Sequence, residues 1–179
     1  MITKILIVLG VIAIVFIVVA ALQPADFRIV RSATIAAPPS VVFAHFNDFH
    51  KWNDWSPWAK MDPNAKNSFD GPTEGVGAGF AWAGNSKVGE GRMTILESKP
   101  NDLIRLRLEF IKPFTATNIT EFTFKPEGNQ TAVTWAMSGH NNFFAKVFGL
   151  FINCDKMVGG DFEKGFANLK AIIEKPTHS

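Results

Sequence analysis

Residues 5–22 read ILIVLGVIAIVFIVVAAL, an unbroken apolar run without a charge or a strongly polar group. As a helix rising about 1.5 Å per residue, it spans roughly 27 Å, close to a hydrocarbon core of about 30 Å. Pro24 ends it. The run predicts a single-pass N-terminal membrane anchor over residues 1–23, with one domain over residues 24–179. A cleaved signal peptide is the competing reading, because Lys4 gives a charged start and Val19-Ala20-Ala21 a small-residue site. Its apolar stretch exceeds the usual length of about 7–15 residues for such leaders. Lys4 on one side and Arg28 and Arg31 on the other leave the membrane side of the domain open.

Beyond the run, the pattern changes period. Residues 27–35 (FRIVRSATI) are β-branched and partly alternate, which predicts a strand. Pro39-Ser40 fits a helix start, with Val41, Val42, Phe43, Phe46 and Phe49 as its apolar face. Residues 48–58 (DFHKWNDWSPW) continue as a short helix or turn, and residues 61–79 read as a loop. Five strands then follow, at 80–83, 88–98, 103–111, 116–125 and 131–139, separated by turn residues. The clearest is LIRLRLEFI, which puts Ile104, Leu106, Leu108 and Phe110 on one face and Arg105, Arg107 and Glu109 on the other. Residues 142–152 predict a short apolar helix. Residues 155–175 predict a long one, with Val158, Phe162, Phe166, Leu169 and Ile173 as a stripe and Asn153 or Asp155 as its cap. Short turns between strands imply an antiparallel sheet, whose one apolar face is buried by the final helix. The fold class is α+β.

Charge narrows the partners. Lys4 is the one charged side chain in residues 1–22, which leaves 17 basic against 16 acidic residues in the rest. That balance lacks the basic stripe of a nucleic-acid-binding protein. Cys154 is the single cysteine, so no intramolecular disulfide forms. Tyrosine is absent while phenylalanine occurs 17 times. The aromatics therefore fill a core, line a cavity, or do both.

Candidate chemistry is sparse. His45, His50, His140 and His178 show no metal-ligand spacing, and no cysteine pairs with them, so no metal is expected. Gly75-Val76-Gly77-Ala78-Gly79 precedes a strand rather than opening a helix, which excludes a phosphate loop. Three polar groups within predicted elements are candidate catalytic residues: Glu121, His140 and Asp161. A buried carboxyl with a raised pKa would act as a general base. Against this, Glu121 has Arg105 or Arg107 as a cross-strand partner. Trp52, Trp55 and Trp58 read either as an aromatic gate at a cavity mouth, as a plug for the open end of the sheet, or as interfacial anchors near the membrane.

Several local words share one resemblance. They are Arg31-Ser32 through Ala37-Pro38, Val42-Phe43, and Asp48-Phe49-x-x-Trp52-x-x-Trp55-Ser56-Pro57-Trp58. Gly75-x-Gly77-Ala78, Trp82, Gly84-Asn85, Thr131-x-Val133-Thr134-Trp135 and Asp155-Lys156-Met157-x-Gly159-x-Asp161-Phe162-Glu163 complete the set. Together they resemble the START/Bet v 1-like (SRPBCC) superfamily and its polyketide cyclase/dehydrase-like group. The resemblance implies a helix-grip fold, in which a curved antiparallel sheet wraps a long C-terminal helix, with a cavity between them. It implies binding of a hydrophobic small molecule or lipid, without a cofactor. Its alternatives are a cofactor-free cyclase/dehydrase-like enzyme and a protein-interaction module of the chaperone-activator type. The ligand-binding candidates are Trp55, Trp82, Met93, Leu106, Leu108, Phe122, Trp135, Met137, Phe162 and Phe166. Each of them reads equally as plain core.

Overall fold

The computed structural model describes residues 1–175, which leaves His178 outside the described residues. Helix α1 spans Ile2–Ala21 and strand β1 Asp26–Ile35. Helix α2, Pro39–Asn47, opens on Pro39 at its first turn, where a missing N–H costs nothing. Val41, expected on its apolar face, is exposed in the folded chain, and Val42, Phe43 and Phe46 are the buried apolar residues of the helix. A 3₁₀ turn at Phe49–Lys51, helix α3 at Trp52–Trp55 and a second 3₁₀ turn at Trp58–Lys60 follow. Six more strands come next: β2 Lys66–Asp70, β3 Gly79–Ala83, β4 Glu90–Lys99, β5 Leu103–Lys112, β6 Ala116–Glu127 and β7 Gln130–His140. Helix α4, Phe143–Gly149, and helix α5, Cys154–Ile173, end the order.

All seven strands form one antiparallel sheet in the order β1-β7-β6-β5-β4-β3-β2. The sequence reading missed β2. All five of its residues are exposed, so no apolar alternation marks it. It is an edge strand, formed by backbone pairing to β3 alone among its sheet neighbours. Gly128, at φ 61°, opens the two-residue β6–β7 hairpin, whose turn type requires positive φ.

Helix α5 is held to the sheet by a charged clamp. Arg31 on β1 donates from Nε to Glu163 (2.8 Å) and from Nη2 to the Asp155 carboxylate (2.9 Å) and main-chain oxygen (3.1 Å). This explains Gly159 in mid-helix: a Cβ there would collide with the Arg31 guanidinium. At Gly165 a Cβ would sit 3.1 Å from the Trp135 ring. The Asn153 side chain caps the helix by accepting from the Lys156 N–H (2.9 Å).

The concave face of the sheet has two halves. One is filled by α2, α3 and the C-terminal part of α5, where Phe46 packs on Phe122 (4.7 Å between centroids) and Trp55 (4.8 Å). The other is hollow.

Candidate functional site

The hollow half is a cavity of about 660 Å³ between the sheet and the N-terminal half of α5. Each strand passes from packed to hollow along its length. On β4 Ile95 is in the core and Met93 on the wall; on β5 Leu106 is in the core and Leu108 and Phe110 on the wall. On β6 Phe122 is packed and Thr120 lines the cavity; on β7 Val133 is packed and Met137 lines it. Helix α5 repeats the division, with Phe166 and Leu169 in the core and Val158 and Phe162 on the wall. Trp135 belongs to both halves. Its ring meets Trp55 and Phe122 on the packed side and also borders the cavity.

Six of the ten ligand-binding candidates therefore surround the cavity: Trp82, Met93, Leu108, Trp135, Met137 and Phe162. The other four lie off its wall. Trp55, Leu106, Phe122 and Phe166 have the same apolar character and periodicity, but α2, α3 and α5 cover that half of the sheet and close the space over them. Trp52 and Trp58 contribute to the wall, whereas Trp55 is the plug, fully buried with its indole N–H donating to the His45 carbonyl (3.2 Å). Thr120, Phe80, Phe110 and Val158 are among the lining residues beyond the candidate set. Thr120 was detectable as a polar residue sharing a face with Phe122 and Phe124.

The rim is formed by lining residues that reach solvent: Asn53, Pro63, Asn67, Lys87 and Met157. Trp82 stands just inside, with its N–H donating to the Val88 carbonyl (3.0 Å). Gly91 permits this, since a Cβ there would strike the Trp82 ring.

The catalytic candidates separate. Glu121 lies on the convex face, between Arg105 (2.9 Å) and Arg28 (3.5 Å). His140 is exposed at the end of β7 and faces Asp26 (2.9 Å). Asp161 alone borders the cavity, paired with Lys164 (2.8 Å). No group of three or more His, Cys, Asp or Glu side chains is placed to hold a metal among the described residues.

Among the described residues, one histidine departs from its ordinary pKa. Burial, with Lys51 nearby, pulls His45 below 6.5. At the clamp, the hydrogen bond from Arg31 holds the Asp155 carboxyl below its usual value.

The apolar hollow between a curved antiparallel sheet and a C-terminal helix defines a helix-grip domain of the START/Bet v 1-like class. The sequence agrees: residues 26–174 match the family described as polyketide cyclase / dehydrase and lipid transport, and the chain belongs to that family. No curated protein matches the chain. Among solved structures, protein CV1439 from Chromobacterium violaceum is 17% identical with a TM-score of 0.59, over 85% of this chain and 99% of that one. Mll3558 from Rhizobium loti is 19% identical with a TM-score of 0.61, over 82% and 96%. The major latex-like protein 151 of Panax ginseng is 11% identical with a TM-score of 0.60, over 84% and 99%. At these identities the likeness is one of fold.

Proposed function

We propose that the protein is a membrane-tethered binding module that holds a hydrophobic small molecule or lipid between its sheet and α5. The cavity carries this reading. Its volume falls within the range of about 300–1,000 Å³ typical of small-molecule sites, and its walls are mainly apolar with few polar groups. Met93 and Met137 give those walls an adaptable surface suited to variable apolar shapes. A filled core, as a pure interaction module predicts, does not account for such a hollow.

Two observations support the tether. Helix α1 is long and apolar enough to cross a membrane, and the residues of its most apolar stretch stand uncovered. Beside its C-terminal end lies α4. Phe16 and Phe151 approach to 6.1 Å between centroids, and Lys146 donates to the Ala21 carbonyl (3.3 Å). Here Phe144, Phe148 and Phe151 are each more than half exposed. Such a cluster belongs at the interface of a bilayer that α1 enters, where aromatic residues are enriched.

Native mass spectrometry of the full chain, released from detergent, tests the binding reading. The expected result is an adduct carried by the wild type and weakened in Leu108→Trp, whose larger ring narrows the cavity. Identical spectra for the two proteins would count against it.

The enzymatic alternative retains one candidate, Asp161, because it alone of the three borders the cavity. If a cyclisation occurs there, Asp161→Asn abolishes turnover of a poly-β-ketone substrate while leaving its binding intact.

A further inference from the structure

The turns that join β4 to β5, β5 to β6 and β6 to β7 differ in chemistry according to the end of the sheet at which they lie. The β4–β5 turn, Pro100-Asn101-Asp102, and the β6–β7 turn, Gly128-Asn129, share one end and are polar. The β5–β6 turn, Pro113-Phe114-Thr115, lies at the opposite end and is apolar at its tip. Phe114 is 75% exposed, the most of any large apolar side chain in the described sheet and its turns, and Ile111 beside it is 53% exposed. Single apolar residues are ordinary on a protein surface. What sets this pair apart is its position.

The strand register fixes that position. Phe27 on β1 stands opposite Gly139 on β7, which stands opposite Asn118 on β6. From this common level the chain leaves the sheet by the same end along two routes. One runs back six residues to Ala21, the last of α1, and the other runs back four residues to Phe114. At about 3.3 Å per residue, the second route projects up to about 13 Å beyond the level of Asn118. The two routes stand two to three strand spacings apart, roughly 10–15 Å. Helix α4 follows β7 out of this end as well, with Phe144 and Phe148 exposed.

This is also the hollow end of the domain. Going towards it, β5 passes from packed Leu106 to Leu108 and Phe110 on the cavity wall, and β6 from packed Phe122 to Thr120 on the wall. Phe110 borders the cavity, and the next residue, Ile111, is at the surface.

We propose that the β5–β6 turn is a second lipid-contacting element, and that Ile111 and Phe114 enter the interfacial zone of the leaflet that α4 touches. This rests on α1 spanning a membrane, as in the reading above. The occupant is the bilayer because α1 enters it from the same end of the sheet and within reach of the turn, and aromatic residues are enriched at that depth. The polar turns of the opposite end face away from it. Held by α1 and α4 alone, the domain meets the leaflet along one edge and is free to tilt. With the β5–β6 turn as a second support, its hollow end is fixed against the lipid.

Site-specific labelling of the full chain in phosphatidylcholine vesicles tests this. In a Cys154→Ser background, a polarity-sensitive fluorophore is attached in turn through Phe114→Cys, Phe148→Cys and Glu127→Cys, all at exposed positions. The vesicles carry a lipid spin-labelled high on its acyl chain. The expected result is quenching about fivefold stronger at positions 114 and 148 than at 127, which lies beside the opposite turn. Quenching at 148 without quenching at 114 overturns the proposal and leaves the tether and α4 standing. Blue-shifted emission at 114 without quenching means that a second copy of the chain or another protein covers the turn, which also overturns it. No quenching at any position, with release of the chain by carbonate, means that the tether itself has failed and the proposal with it.

Discussion

The Trp135 indole lies nearly flat on the Phe162 ring, with centroids 4.0 Å apart and planes 8° from parallel. This contact joins the middle of the sheet to α5 at the border between packed core and cavity. Phe162→Ala removes a ring that is 2% exposed. It is expected to cost about 3–5 kcal/mol, the usual range for Phe→Ala in a core. Urea denaturation measures this, and a loss below about 1 kcal/mol would show that the stack does not fasten the helix.

Two adjacent glycines of α5 should respond in opposite directions. Around Gly160 there is open space, so Gly160→Ala should stabilise the helix by up to about 1 kcal/mol. At Gly159 a methyl group meets the Arg31 guanidinium, so Gly159→Ala should destabilise by displacing the clamp. Thermal melts of the two variants provide the comparison; equal shifts would remove the clamp as the reason for Gly159.

The clamp also gives an acid dependence. The hydrogen bond from Arg31 lowers the pKa of Asp155 in the folded chain below its ordinary 3.8. Its stabilising contribution is therefore complete above that ordinary value and is lost as pH falls through the lower folded value. Asp155→Asn should flatten this limb of the stability profile. An unchanged limb in denaturation between pH 5 and pH 2 would contradict the assignment.

His45 acts at milder pH. Its folded pKa lies below 6.5 because burial disfavours the imidazolium. The unfolded chain thus binds the proton first as pH falls. Stability is complete above about pH 6.5 and declines as pH drops from there towards the folded value. His45→Gln should remove this decline, measured as the denaturation midpoint at pH 7.5 and pH 5.5.

The proposed interfacial position of α4 can be read from Cys154, the single cysteine, which is free and exposed three residues beyond Phe151. A fluorophore placed there in vesicle-bound full chain should be quenched by spin labels at headgroup depth. Phe144→Ser, Phe148→Ser and Phe151→Ser combined should reduce that quenching while the chain stays in the vesicles. Release of the wild-type chain by carbonate would instead count against α1 as the anchor.

Much of the architecture was legible because local pattern and burial agree. The alternation of β5 puts Ile104 and Leu106 inward and Arg105 outward, and the stripe of α5 runs from Val158 to Leu169. Strand β2 was not legible, since an exposed edge strand rests on backbone pairing and needs no apolar period. The cavity was only half legible. Leu106 and Leu108 are two positions apart on one face of one strand, yet the first is packed and the second borders a hollow. Nothing in the identity of a leucine encodes that difference. It arises from the path of the sheet, including register shifts in β4 at Glu90/Gly91 and Ile95/Glu97, and from where α2 and α3 stop covering it.

Residues 22–25 are all that separate α1 from β1. Fully extended, four residues reach no more than about 14 Å. They are further restrained, with the Gln23 N–H donating to Ala20 (3.2 Å) and the Asn141 N–H to Ala25 (2.7 Å). Under the proposed tether, a domain on so short a leash would be a berth and not a ferry. With α1 in a bilayer it has no span with which to carry cargo to a second membrane. On the proposed reading, its ligand would exchange with the leaflet beneath it or with a visitor that comes to its rim.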